Sequence, residues 1–207
     1  VLNQYMDTFN GPADFLEKPV SPITGTAFEN ANSTKMVHLV EFTADLMKHN
    51  KLKLDPSRND HLKVTFHDSC NTSRGMGFLE EPRYVIKNVC NNFYEMPSET
   101  IREQTFCCGS GSGLNAGENM EIRMRGGLPR ANAVKHVHEK DGVNMLSCIC
   151  AIDRAVLTAS MQYWVPEVEV CGVHELVANA LILDGEKKRT TDLRGETLPG
   201  MEDEEDV

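Results

Sequence analysis

Hydrophobic positions recur along this chain with two alternating periods. In KMVHLVEFTADLMKHNKL, Val37, Val40, Leu46 and Met47 fall on roughly one side at helical spacing, which predicts an amphipathic helix over about 35–50. HLKVTFHDSC follows, where Leu62, Val64 and Phe66 alternate as in a strand that ends at His67-Asp68-Ser69-Cys70. LEEPRYVIKNV opens with acids and Pro82 in its first turn, which predicts a helix from about 80 to 90. NFYEMP reads as a short strand, and NMEIRMRGGLPRANAVKHVHEK as one or two helices interrupted near Gly126, Gly127 and Pro129. Then come a strand in GVNMLSCIC, a helix in AIDRAVLTASMQYW, a strand in PEVEVCGV and a closing helix in HELVANALIL.

Strands alternating with helices imply an α/β fold with a mostly parallel sheet. In such sheets the loops leaving the carboxyl ends of the strands share one edge, where ligands usually bind. The chain's 207 residues suit one core. Residues 35–183 are expected to form that domain, with an irregular lead-in or partner-packing segment over 1–34 and an acidic tail over 184–207. Hydrophobic residues at 40% and charged residues at 25% are globular values, and no apolar run approaches a membrane span. The chain begins at Val1 with no basic-then-apolar leader, so a truncated chain is expected. A net charge of −10 argues against nucleic acid as a partner.

Seven cysteines, at 70, 90, 107, 108, 148, 150 and 171, are odd in number and numerous. Adjacent Cys107 and Cys108 cannot bond to each other without strain, so metal ligation or redox chemistry is the better reading. Strand, cysteine, helix recurs at Cys70 and at the Cys148/Cys150 pair, so thiols distant in sequence are expected to meet at one sheet edge. Five thiols exceed the four ligands of a closed zinc site, whereas iron–sulfur clusters accept cysteines at long, irregular spacing. In FCCGSGSGL, Gly109, Gly111 and Gly113 let backbone approach a bulky inorganic core and aim N–H groups at sulfur. No Lys-Ser or Lys-Thr follows at the spacing of a phosphate-cradling loop. Cys90 and Cys171, inside a predicted helix and strand, read as small buried hydrophobes.

The order HDSC, EEPRYVIKNV, FCCGSGSGL, MLSCIC resembles the CCG domain of heterodisulfide reductase catalytic subunits and their relatives. ENMEIRMRGGLPRANAVKHV, CICAIDRA and HELVANALI extend the likeness toward the K-subunit branch (DsrK) of Dsr membrane complexes, over roughly residues 35 to 195. The resemblance implies that Cys70, Cys107, Cys108, Cys148 and Cys150 are catalytic ligands of a noncubane [4Fe-4S] cluster that reduces a disulfide directly. The usual pattern ends in Cys-x-x-Cys, and this chain departs from it with Cys148-Ile149-Cys150. Further cubane [4Fe-4S] clusters would belong to an N-terminal part not seen here. The implied substrate is a disulfide or trisulfide on a small sulfur carrier protein (DsrC-like). The implied partners are a membrane quinone-reactive heme b subunit and other subunits of a Dsr-type complex. That places the chain on the cytoplasmic side of the cytoplasmic membrane, peripheral through those subunits. The rival reading is a non-catalytic electron-relay or structural cluster-binding module.

Around the thiols, His67 is a candidate proton donor or hydrogen-bonding neighbour of a cluster sulfur. Arg74 and Arg83 are candidates to orient a carrier's carboxylate, with surface ion pairing as their ordinary role. His136 and His138 read as surface residues, and His174 as a packing or capping residue at the start of the closing helix.

Overall fold

The computed structural model describes residues 37–111, 114 and 117–183, together with Thr24 and Gly185. The expected lead-in over 1–34 and acidic tail over 184–207 otherwise lie outside the described residues. Helix α1 (Leu39–Lys48), strand β1 (Val64–Phe66), helix α2 (Glu80–Val89), helix α3 (Met120–Asp141), strand β2 (Met145–Cys148), helix α4 (Ala151–Trp164), strand β3 (Glu169–Gly172) and helix α5 (Val173–Ala180) follow in order. Short helical turns join them.

The three strands form one parallel sheet in the order β1-β2-β3, as the alternation of elements predicts. Val64 lies beside Met145 and Phe66 beside Ser147, while Leu146 pairs with Val170 and Cys148 with Gly172. Every residue of β1 and β2 is buried, because helices cover both faces. On one face Val64, Phe66, Met145 and Cys171 pack with Val40 of α1, Val85 and Val89 of α2 and Leu176 of α5. On the other, Leu146, Cys148 and Val170 pack with Val134 and Val137 of α3 and Leu157 and Met161 of α4. Successive strand side chains point to opposite faces, so this three-layer core follows directly from the strand register.

Three sequence expectations change. First, α3 runs through Gly126, Gly127 and Pro129 without a break. Its glycines serve close packing: a Cβ on Gly127 would stand 2.9 Å from the carbonyl oxygen of Cys108. Pro129 removes one helical donor, and burial of Ala131, Val134 and Val137 holds the helix together beyond it. Second, NFYEMP contributes only a parallel bridge of Phe93 to Val64, because Pro97 and a tight turn at Ser98–Thr100 end the extension. Third, the closing helix stops at Ala180, where Leu181 bridges to Leu54 and the Ile182 N–H donates to the Lys53 carbonyl at 2.9 Å. Among the described residues no helix is long and apolar enough to cross a membrane.

Candidate functional site

The carboxyl ends of β1 and β2 deliver the first of the cysteines. β1 ends at Phe66, and His67, Asp68 and Ser69 carry the chain, fully buried, to Cys70 at the start of a wide helical turn over Asn71–Gly75. β2 ends in Cys148 itself, and Cys150 caps the start of α4. Cys150 has an extended backbone (φ −81°, ψ 133°) and Ile149 packs into the apolar core on the β1 side of the sheet.

The Cys107–Cys108 pair arrives on a loop fixed at both ends. Before it, Thr105 donates its hydroxyl to the Asp68 carbonyl at 2.8 Å, and Arg74 donates to the carbonyls of Glu103 and Thr105 at 2.7 and 2.6 Å. After it, Gly109 adopts φ +99°, and a Cβ there would fall 2.4 Å from the Arg123 carbonyl oxygen. Only glycine allows that contact. The close approach at Gly109 is to the backbone of α3, while Gly111 has open space around it and Gly113 lies outside the described residues.

All seven cysteines are free thiols, with Cys70 and Cys107 exposed, Cys150 half-buried and Cys108 and Cys148 buried. Burial and then the Asp153 carboxylate push the Cys70 thiol up, and Cys107 and Cys150 add to the effect. Burial raises Cys108 and Cys148 strongly, with Asp153 next, and each also feels one further thiol of the five, Cys107 and Cys150 respectively. These mutual influences tie the five into one electrostatic group. The Gly109 N–H donates to Cys107 Sγ at 3.2 Å, and the backbone N–H groups of Asn71 and Ser110 oppose the rise at Cys70 and Cys108. Cys90 and Cys171 stay in the apolar core as predicted, with Cys90 pushed up to about 12 by burial.

His67 is 1% exposed, and its Nε2 stands 3.5 Å from Asp153 Oδ2. Burial lowers its pKa and keeps the ring neutral despite that carboxylate. It therefore lies beneath the loops rather than at the surface. Burial would raise Asp153, yet His67, Cys108 and Ser69 outweigh it and hold the carboxyl below its usual range. Sequence reasoning missed Asp153, whose place in the first turn of α4 reads as ordinary helix-end acidity. Arg83 is no surface residue either: it is 1% exposed and bonds Asp68 at 2.7 Å and Glu95 at 2.6 Å. Arg74 is occupied by loop carbonyls. His136 is exposed, His138 is half-buried with Nδ1 2.8 Å from the Val143 carbonyl, and His174 packs as predicted, Nε2 3.0 Å from Thr43 Oγ1.

Among the described residues no three His, Cys, Asp or Glu side chains form a ready cage for one metal ion. The donor chemistry nevertheless fits an iron–sulfur cluster: five thiols from three loops, backbone amides turned to sulfur, and buried polar atoms without partners. His67 Nδ1 and Ser160 Oγ beside Gly127 are such atoms. Buried polar groups normally find a partner, and iron-bound sulfur would supply acceptors.

A family model described as CCG, cysteine-rich domain, matches residues 64–151, the span from β1 to the first residue of α4. Among curated proteins, the chain is 54% identical over 163 residues to the Hdr-like menaquinol oxidoreductase iron-sulfur subunit of Archaeoglobus profundus, covering 77% of this chain and 29% of that protein. It is 45% identical over 219 aligned positions to the Hdr-like menaquinol oxidoreductase iron-sulfur subunit 2 of Archaeoglobus fulgidus, covering 98% of this chain and 40% of that protein. It is 34% identical over 156 residues to one subunit of the dihydromethanophenazine:CoB--CoM heterodisulfide reductase of Methanosarcina mazei, covering 72% of this chain and 35% of that protein. The chain thus spans well under half the length of these relatives. No solved structure gives a significant match. By its domain and its relatives, the chain is a CCG-domain protein of the heterodisulfide reductase family.

Proposed function

We propose that this chain is the cluster-bearing catalytic part of an iron–sulfur subunit in a quinol-linked, membrane-associated oxidoreductase. Cys70, Cys107, Cys108, Cys148 and Cys150 hold a [4Fe-4S] cluster of the noncubane kind. The substrate is a disulfide or trisulfide on a small sulfur carrier protein of DsrC-like character. For a disulfide, the overall reaction takes two electrons and two protons from a quinol, breaks one S–S bond and leaves two thiols; a trisulfide takes four electrons and four protons from two quinols, breaks two S–S bonds and leaves two thiols and hydrogen sulfide. A membrane heme b subunit and cubane [4Fe-4S] clusters, outside the stretch this chain covers in its relatives, carry the electrons. The names of the relatives, menaquinol oxidoreductase and heterodisulfide reductase, support the reaction class.

The observation that carries this reading is the uneven exposure of the thiol group: Cys70 and Cys107 face solvent while Cys108 and Cys148 are sealed below. A substrate sulfur would reach the group at Cys70 and Cys107. The bound cluster would supply one-electron storage and an iron able to hold a sulfur. The protein's part is to aim the Gly109 amide at Cys107 Sγ and to favour thiolates at Cys70 and Cys108 through the amides of Asn71 and Ser110. Below them, Asp153 stays ionised and His67 stays neutral, so His67 positions the site rather than meeting substrate.

The burial of Cys108 and Cys148 favours the second reading, a relay that passes electrons without touching substrate. Iron and acid-labile sulfide content, with electron paramagnetic resonance of the full-length subunit in its complex, separates the two. Oxidation in the presence of the carrier protein's thiol form changes the cluster signal if the catalytic reading holds. A signal indifferent to the carrier leaves a relay, and zinc in place of iron removes both.

A further inference from the structure

Three arginines are buried in this domain, and the two most enclosed, Arg83 and Arg130, are neutralised differently. Arg83 lies between two carboxylates, Asp68 and Glu95. Arg130, 0% exposed on the inner face of α3, makes no ion pair among the described residues. Its Nη2 donates to the Thr100 carbonyl at 2.6 Å and to Thr105 Oγ1 at 2.8 Å, its Nη1 stands 3.0 Å from Met96 Sδ, and its Nε has no partner. Its guanidinium carbon lies 5.8 Å from the centre of the Phe106 ring. Thr105 and Phe106 are the two residues that lead into Cys107 and Cys108. Burial lowers the Arg130 pKa to about 10, which leaves it charged at neutral pH, and Asp68, Asp153 and Cys108 act on it without forming an ion pair.

A buried cation without a directly paired carboxylate is costly, since more distant carboxylates offset only part of its desolvation. A fold could satisfy the same carbonyl and hydroxyl with a neutral donor. What arginine alone adds here is a permanent positive charge beside the thiol pair. A reduced cluster carries one more negative charge than its oxidised form, and a fixed cation in a medium of low dielectric stabilises the more negative state.

We propose that Arg130 is a positioning and charge-tuning residue of the thiol site: it clamps residues 100–106 and holds a positive charge, with no direct ion pair, beside Cys107–Cys108, raising the reduction potential of the bound cluster. This rests on the cluster reading of the five thiols given above.

The test is a potentiometric titration of the full-length protein followed by electron paramagnetic resonance, with iron and sulfide measured in the same samples. Arg130→Met removes the charge at similar length. Met96→Glu keeps Arg130 and sets a carboxylate where Met96 Sδ now stands, neutralising the guanidinium in place. Both variants are expected to weaken cluster reduction about tenfold, a downward midpoint shift of about 59 mV for one electron, while Arg130→Lys stays within about threefold of the unaltered protein. Cluster-loaded variants whose midpoint does not move would overturn the role of Arg130 and leave the cluster reading intact. If Arg130→Met fails to fold or load, Met96→Glu decides. Absence of iron and sulfide from the unaltered protein overturns the cluster reading, and this inference with it.

Discussion

Between the sheet and helices α3 and α4 the buried side chains are Val134, Val137, Leu146, Leu157 and Met161, whereas at the carboxyl edge of the same strands they are His67, Asp68, Ser69, Ser147 and Asp153. The first set is closed and self-sufficient, each fully buried aliphatic side chain contributing about 1.5–3 kcal/mol. The second set has several polar atoms that find no partner, and burying a polar group unpaired costs stability. The apolar body therefore carries the edge. Such an arrangement is expected where the edge is finished by something the polypeptide does not supply, and the thiols lie along that edge.

The largest effect should come from the edge. Cys148→Ser keeps the shape of β2's last residue but removes a thiolate, so iron and acid-labile sulfide in the full-length protein should fall to background while far-ultraviolet circular dichroism is retained. Full metal content in that variant would separate the thiol edge from cluster binding. Next comes Asp68→Asn, which takes the charge from a side chain that grips Arg83 at 2.7 and 2.8 Å and also accepts the Arg102 N–H at 2.8 Å. Removing one partner of a buried ion pair costs about 3–5 kcal/mol, and Glu95 still holds Arg83, so urea unfolding should show a loss near the lower figure. An unchanged midpoint would mean that Asp68 is dispensable to the edge. On the apolar side, Leu157→Ala should cost about 2–5 kcal/mol by the same measurement. Its iron and sulfide content should remain that of the unaltered protein, and a parallel loss of cluster would erase the distinction between body and edge.

How much of this was legible in the sequence follows the same division. The sheet and its parallel sense were readable because each strand alternates or is apolar throughout and each helix has a buried stripe, as at Val40, Ala44 and Met47. The thiol positions were readable because Cys70 and Cys148 sit where strands end. What escaped was burial of charge. Arg83 reads as a surface residue, since a charged side chain is almost never fully buried unless paired, and sequence does not reveal the pairing. Asp153 looks like any acid in a first helical turn. Gly126 and Gly127 look like a break because local propensity disfavours glycine in helices, and the loop packed against them overrides it through the contact of Gly127 with Cys108. Site-building residues were the hardest to read because their partners come from other segments.

The smallest effect lies far from the thiols, where α1 meets α5, and it tests whether the body is as indifferent to pH as its apolar side chains suggest. Thr43 donates its hydroxyl proton to the Leu39 carbonyl at 2.8 Å, so its oxygen accepts from His174 Nε2, 3.0 Å away. Burial, helped by the neighbouring His38, lowers the His174 pKa below its ordinary 6.5. Burial likewise lowers His38, against the pull of Glu41. A histidine depressed in the fold binds its proton more readily once unfolded, so its contribution is fully present above pH 6.5 and is lost as pH falls through that value toward the folded pKa. His174 is only half-buried, so solvent screening limits the effect to below about 1 kcal/mol. His174→Gln keeps a donor for Thr43 and removes the titration. Urea midpoints of the two proteins, compared at neutral pH and near pH 5, should therefore converge on acidification, because only the unaltered protein loses this increment. Parallel midpoints across that range would show that His174 titrates alike in both states, and that the body owes nothing to its charge.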